Sequence, residues 1–163
     1  MKVCLIKQRG TMPLKNRARL LRVLAFAQEL AGLGKERGTL NVVLTPSTVM
    51  AEMNEEFLAH QGRTDVLTFD LRDGCLADDE SDACVAEVYV CPDVAVEYSA
   101  KFGMTPSCEL VLYMIHGMLH LAGEDDLEEE ARLSMRKAEK RVMDGIAKRF
   151  SVEGFIGKEL CKN

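Results

Sequence analysis

The sequence predicts an α+β domain in which a small mixed sheet of four strands is packed with about five helices. The chain has 163 residues, enough for one domain with a core of its own. Segments with strand and helix patterns follow one another in the order β-α-β-α-β-β-α-α-α. Because two strands are adjacent in the middle of this order, it departs from the β-α-β alternation of a doubly wound parallel sheet. A mixed sheet covered by helices is therefore favoured.

Four short apolar segments predict the strands, since strands favour β-branched and aromatic residues. The predicted strands are Val3–Lys7, Leu40–Leu44, Val66–Leu71 and Val85–Val90. The acidic segment 72–82 separates the last two strands, contains glycine, and predicts a solvated loop.

Five segments with apolar residues three to five positions apart predict helices. Proline near the start and glycine after the end mark several of their boundaries. The predicted helices are Leu14–Leu30, Ser47–Leu58, Pro92–Phe102, Pro106–Leu121 and Leu127–Arg149. Residues 1–150 are expected to form a single domain, and residues 151–163 are expected to form a C-terminal tail.

The composition excludes several classes of protein. Hydrophobic residues make up 47% and charged residues 29% of the chain, so it is not disordered as a whole. The longest strongly apolar run, Leu110–Ile115, is much shorter than the ~18 residues of a membrane span. No secretory signal follows Met1, and the expected location is the cytoplasm. None of the six cysteines forms a C-x-x-C pair, which favours plain thiols and leaves a cysteine-based zinc or redox site as the alternative.

The charge is unevenly distributed along the chain, although the net charge is only -5. Residues 1–63 carry ten basic and five acidic residues, residues 64–131 carry two and seventeen, and residues 132–163 carry nine and four. An acidic middle between basic ends is compatible with a cation site beside a polyanion-binding face. Basic residues on one of two predicted helix faces could hold phosphates there: Arg17, Arg19 and Arg22, or Arg136, Lys137, Lys140 and Arg141. Ordinary solvated helix faces are the alternative.

Two of the three histidines, His116 and His120, lie four residues apart within a predicted helix. Residues at positions i and i+4 stack on one face of a helix, so both imidazoles can point at one ion. This spacing alone is a weak signal, because histidines of the core or the surface produce it as well.

A third candidate ligand follows the two histidines. Residues His116 to Asp126 have the spacing H-x-x-x-H-x-x-G-x-x-D, in which the glycine is Gly123. This is the layout of the third-ligand segment of metzincin proteases. The glycine ends the helix and lets the chain fold back, so that the Asp126 carboxylate can reach the same ion. Three protein ligands with an open fourth position are typical of a catalytic zinc site. The sequence thus predicts a zinc-hydrolase-like site at a helix C-terminus, formed by His116, His120 and Asp126.

Gly117 argues against peptide hydrolysis at this site. In H-E-x-x-H metalloproteases the residue after the first histidine is a glutamate that acts as general base. A glycine here lacks that base, and it predicts an open floor beside the metal. The sequence does not identify the group that moves the proton.

The segment His116–Asp126 resembles the signature H-G-x-L-H-L-x-G-x-D-H of the bacterial YbeY-type endoribonucleases, the rRNA maturation factors. Two more blocks agree. Met53–Phe69 is similar to the family's L-N-x-x-Y-R…P-T-[DN]-V-L-S-F segment, and Ala86–Pro92 is similar to its G-D-I-x-I-C/S strand. The resemblance covers residues 1 to about 148.

The resemblance implies a metal-dependent endoribonuclease that cleaves single-stranded RNA in 16S rRNA 3′-end processing and ribosome quality control. The implied cofactor is one divalent ion, with Zn²⁺ favoured. The implied partners are rRNA precursors and ribosomal particles, and no DNA partner is expected.

The chain departs from the family pattern at several positions. The family's third histidine is Asp126 here, which keeps a ligand but adds a negative charge. The register leaves Asp125 outside the ligand set, where its carboxylate either supports a ligand through a hydrogen bond or caps the turn. The family's arginine in the second block falls on Leu58, and Arg63 is the candidate substrate-binding residue in its place. His60, in the same loop, is either a surface histidine or a substrate contact.

Two other functions remain open at the level of sequence. The loss of arginine at Leu58 favours a non-catalytic ribosome-assembly factor with a structural metal. A metallohydrolase of another class, such as a peptidase, is the second alternative, and Gly117 counts against it.

Overall fold

The computed structural model describes residues 1–58, 64–72 and 83–157, and it confirms the predicted α+β class. Four strands and five helices follow one another in the predicted order. They are β1 (Lys2–Lys7), α1 (Arg17–Leu30), β2 (Thr39–Leu44), α2 (Ser47–Leu58), β3 (Val66–Asp70), β4 (Cys84–Val90), α3 (Pro92–Phe102), α4 (Pro106–Leu121) and α5 (Glu129–Ala147).

The four strands form one mixed sheet with the order β1-β2-β4-β3. β1, β2 and β4 run parallel, with Lys7 opposite Leu44 and Leu44 opposite Val90. β3 runs antiparallel to β4, and Val66 lies opposite Val90. The reversed edge strand follows from the direct β3–β4 succession, because adjacent antiparallel strands need no helical crossover.

Helix α4 lies against the strands β3 and β4 at the centre of the fold. Gly117 makes this close approach possible, since a Cβ atom there would lie 2.5 Å from Val88 Cγ1 and 2.9 Å from Thr68 Oγ1. The prediction of an open floor beside the metal at Gly117 is therefore wrong. Side chains of the sheet fill that space, and the glycine sets the height at which α4 sits on the sheet.

The helix predicted from Leu14 begins later, at Arg17. The Lys15 amide donates to the carbonyl of Phe155 (2.8 Å), and the Asn16 side chain donates to the carbonyl of Gly154 (2.9 Å). Asn16 itself is left-handed, with φ at 52°. The C-terminal segment thus holds the backbone before α1 out of helical geometry, which the local sequence pattern does not reveal.

The segment after α5 packs into the core as far as the structure describes it. Phe155 is fully buried and Ile156 nearly so. The hydroxyl oxygen of Ser107, in the first turn of α4, accepts hydrogen bonds from the amides of Phe155 (2.8 Å) and Ile156 (3.1 Å). Residues 151–157 of the expected tail therefore support the start of the helix that carries both histidines; residues 158–163 lie outside the described ranges.

No helix in the described parts of the chain is long and apolar enough to span a membrane.

Candidate metal centre

Helix α4 begins and ends at residues that suit those positions. The Thr105 hydroxyl accepts a hydrogen bond from the Cys108 amide (3.2 Å), and Pro106 occupies the first turn. After Leu121, Gly123 adopts a positive φ of 98°, which glycine allows without strain. The chain consequently turns back toward the last turn of α4.

Four polar side chains lie on one face of this helix, and Ser107 lies on the opposite face. Their spacing of four, three and four residues brings them into register along the helix axis. From the N-terminal end they are Glu109, Tyr113, His116 and His120. The two histidines occupy the C-terminal end of this stripe, where the turn at Gly123 returns.

The structure brings the three predicted ligands together. The Nε2 atoms of His116 and His120 are 2.9 Å apart. The Asp126 carboxylate lies 3.5 Å from Nε2 of His116 and 3.8 Å from Nε2 of His120. One ligand atom from each residue falls within 4.8 Å of the others, and the group could hold a metal ion.

Asp125 lies beside this group and makes a different interaction. Its carboxylate accepts hydrogen bonds from the backbone amides of Asp126 (2.7 Å) and Leu127 (3.3 Å). Asp125 thereby caps the turn that presents the Asp126 side chain to the histidines.

The hydrogen bonds at the Nδ1 atoms show that the site suits a cation. The Nδ1 of His120 faces the carbonyl oxygen of Glu124 (3.0 Å), which can only accept, so this nitrogen carries the proton. The Nδ1 of His116 faces the Glu139 carboxylate (2.7 Å) in the same way. In the neutral tautomers both Nε2 lone pairs then point at each other beside a carboxylate. These acceptors repel one another, and a cation between them would turn the repulsion into attraction. Hydrogen bonds at the outer nitrogen, such as these, are typical of metal-binding histidines.

Glu139 was not identified from the sequence. It lies on α5, 23 residues beyond His116, and reaches the imidazole because α5 packs against α4. The apolar spacing of Met135, Ala138 and Val142 predicts only which face of α5 is buried. Nothing in the local pattern indicates that the neighbouring glutamate meets a histidine of another helix.

The electrostatic surroundings also favour a positive charge. Burial lowers the pKa of His116, but the hydrogen bond and charge of Glu139, with the charges of Asp126 and Asp65, outweigh this effect and raise its pKa above the ordinary value. Two carboxylates next to a partly buried imidazole stabilise any cation at this point, whether a proton or a metal ion.

The N-terminal half of the polar stripe is more deeply buried. Glu109 is 4% exposed, and its Oε2 atom has no hydrogen-bond partner among the described residues. Burial raises the pKa of its carboxyl, and the hydrogen bond from Tyr113 offsets this only in part. Burial and the same carboxyl also raise the pKa of Tyr113.

Arg72 is a second residue that sequence reasoning missed. It follows β3, and its guanidinium donates to the carbonyl oxygen of Leu121 (2.7 Å), immediately after His120. Its Nε also donates to Asp70 (2.8 Å), and this hydrogen bond lowers the pKa of that carboxyl despite partial burial. Arg72 therefore connects the end of β3 to the last turn of α4.

Arg63 and His60 lie outside the described residues, as does the side chain of Leu58. Arg17 donates to the carbonyl of Leu5, and Arg19 donates to the carbonyl of Glu153.

The basic face predicted on α1 is thus used in part to hold the fold together. The Arg19 guanidinium also stacks over the Phe155 ring at 4.9 Å. Arg22 is exposed.

Comparison with known proteins gives consistent matches. The family model described as Endoribonuclease YbeY matches residues 6–147. A protein named Endoribonuclease YbeY from Protochlamydia amoebophila is 32% identical to the chain, and the match covers 67% of this chain and 71% of that protein. A protein of the same name from Thermotoga petrophila is 35% identical, and the match covers 66% of this chain and 67% of that protein. A solution structure of TM1509 from Thermotoga maritima is similar at 25% identity and a TM-score of 0.56, and the match covers 96% of this chain and 99% of that one.

Proposed function

The chain belongs to the YbeY endoribonuclease family, and from this premise we propose that it cleaves single-stranded RNA with one divalent metal ion during rRNA maturation. The reaction we propose is 16S rRNA 3′-end processing, with ribosome quality control, on ribosomal particles in the cytoplasm. The observation that carries the proposal is the convergence of His116, His120 and Asp126 at the C-terminal end of α4.

Zinc is the ion we propose. Two imidazole nitrogens and one carboxylate form a three-ligand set that leaves a position open, as catalytic zinc sites do. When bound, the ion supplies a Lewis acid that stabilises negative charge on a phosphodiester and activates water.

The protein's own contribution is to orient the ligands. Glu139 and the carbonyl oxygen of Glu124 fix the two histidines in tautomers whose Nε2 atoms face the site. Asp125 holds the turn that presents Asp126. Because each ligand is fixed by a second group, little reorganisation is needed when the ion and substrate bind.

Gly117 argues against peptide cleavage by the H-E-x-x-H route. The position after the first histidine faces Val88 and Thr68 of the sheet, with no room for even a Cβ atom. A glutamate base of the H-E-x-x-H kind cannot be carried there.

The test compares the wild-type protein with the double variant H116A/H120A. We expect the wild type to cut a labelled precursor 16S rRNA within its 3′ single-stranded region, and the variant to leave it intact while still folding. A pull-down of ribosomal particles with both forms then separates catalysis from assembly. If both forms bind particles and neither cuts RNA, the protein is a non-catalytic assembly factor; digestion of peptides by the wild type alone would indicate a peptidase.

A further inference from the structure

The negative charge around this metal centre opposes the binding of RNA, which is itself a polyanion. Acidic residues surround the histidines: Glu139 and Asp126 contact His116, and Asp65 acts on it through its charge. The loop before α5 adds Glu124 and Asp125. This field repels a polyanion except where cations offset it; a bound metal ion does so at its open position, and other cations are needed along the rest of the strand.

One flank of α5 supplies such cations. Arg132, Arg136 and Glu139 are spaced by four and three residues, which places them within a sector of about 60° around the helix. We call these three positions the α5 flank.

Both ends of the α5 flank touch the metal centre. Glu139 hydrogen-bonds to His116 at 2.7 Å. Arg132 donates to the carbonyl oxygens of Leu127 (2.6 Å) and Asp126 (3.4 Å), the residues at the third ligand. The position between them lies three residues, ~4.5 Å along the helix axis, before Glu139 and one turn after Arg132.

Arg136 occupies that middle position. It is exposed, and within the described ranges it makes no hydrogen bond or ion pair. Two other basic residues of α5 are engaged: Lys140 pairs with Asp144 (2.7 Å), and Arg141 donates to the carbonyl oxygen of Leu30 (2.9 Å). Lys137 is exposed like Arg136, but it lies outside the α5 flank. Arg136 is thus an exposed guanidinium on the same flank of α5 as Glu139, with its donors available.

We propose that Arg136 binds a phosphate of the RNA strand next to the metal centre, with Arg132 as a fixed positive charge beside it. The inference deepens the proposed function and rests on it, because it names the group that admits a phosphodiester to an acidic site. A guanidinium suits this role, since its planar fork can donate two hydrogen bonds to one phosphate.

The experiment measures binding of a fluorescent single-stranded RNA oligonucleotide to chelator-treated protein at several salt concentrations. R136A is compared with R136K and with the matched control K137A. Lys137 carries the same charge one residue away, yet lies about 160° around the helix from Glu139, on the outer side.

R136A is expected to weaken binding at least fivefold and to make the slope of log K against log salt shallower by about 0.7, the value for one phosphate contact on a single strand. R136K should restore the slope and only part of the affinity, because lysine cannot donate bidentately. K137A should bind within about twofold of wild type with its slope retained.

Equal effects of R136A and K137A, or no effect of R136A, would overturn the assignment of Arg136. Cleavage by the zinc-loaded wild type is measured separately. If R136A shows its selective binding defect but the wild type cuts no RNA, the proposed function fails while the phosphate contact stands.

Discussion

At the scale of single residues, the groups bonded to the histidine Nδ1 atoms are as informative as the ligands themselves. The Glu139 carboxylate and the Glu124 carbonyl leave both Nε2 atoms as acceptors facing one point. These hydrogen bonds are the outer contacts expected of metal-binding histidines, and they support the proposed metal site beyond the spacing of the two histidines.

The first prediction concerns Glu139. Replacing it with alanine removes both the hydrogen bond and the charge that make His116 a better ligand, and zinc affinity should fall about 10- to 100-fold. E139Q keeps an acceptor without the charge, so its affinity should lie between E139A and wild type. Competition with a chelating dye measures these affinities.

E130A is the control for this series, since Glu130 is an exposed acid in the first turn of the same helix. Its zinc affinity should match wild type. An E139A protein that binds zinc as tightly as E130A would show that Glu139 has no part in the site.

The second prediction concerns the buried Glu109. Burial raises the pKa of its carboxyl above the ordinary value of 4.5. The folded protein therefore holds this proton more tightly than the unfolded chain, and the group costs stability as pH rises from 4.5 through the folded pKa. E109Q removes the charge and keeps an acceptor for Tyr113.

Urea unfolding of the metal-free proteins at pH 4.5 and pH 7.5 measures the effect. The stability of E109Q relative to wild type should be greater at pH 7.5 than at pH 4.5. A stability difference that is the same at both pH values would mean that Glu109 titrates in the folded protein as it does in the unfolded chain.

At the scale of elements, α4 could be predicted because its signals are local. Thr105, Pro106 and Gly123 mark its ends, and the His116–His120 spacing places both rings on one face. The start of α1 could not be predicted, since Phe155 and Gly154, more than 130 residues away, hold Lys15 and Asn16. The roles of Glu139 and Arg72 depend in the same way on packing between elements.

The third prediction tests how closely α4 must approach the sheet. Alanine favours a helix over glycine by roughly 1 kcal/mol, but overpacking a tight contact costs roughly 1–3 kcal/mol. The added Cβ of G117A would lie 2.5 Å from Val88 Cγ1, so we expect the packing cost to win and the variant to be less stable.

The double variant G117A/V88A provides the check by thermal denaturation. Truncation of Val88 makes room for the new methyl group. The double variant should therefore be destabilised by less than the sum of the effects of G117A and V88A measured separately. A G117A protein more stable than wild type would contradict the close approach of α4 to β4.

At the scale of the whole molecule, the α+β class and the order of elements follow from the sequence, whereas the strand order β1-β2-β4-β3 does not. Strand order depends on which crossovers pack, a property of no single segment. The contribution of residues 151–157 to the core also escapes sequence reasoning, because Phe155 and Ile156 show no regular period.

The fourth prediction follows from that C-terminal segment. Phe155 is fully buried between α1 and the start of α4, so F155A should lower the free energy of unfolding by about 3–5 kcal/mol. V152A, at a partly buried position of the same segment, should cost less. Chemical denaturation measures both variants, and a cost of F155A below that of V152A would show that the segment does not support the core.

The dependence of RNA cleavage on this metal centre is tested most directly by a titration of chelator-treated protein with Zn²⁺ while cleavage of a labelled single-stranded RNA is followed. If His116, His120 and Asp126 hold the one ion that the reaction needs, the rate should start near zero, rise in proportion to added zinc and level off at one equivalent. The same titration of H120A should stay near zero at that point. Cleavage that persists after complete removal of metal, or that is undiminished in H120A, would contradict the assignment of the reaction to this site.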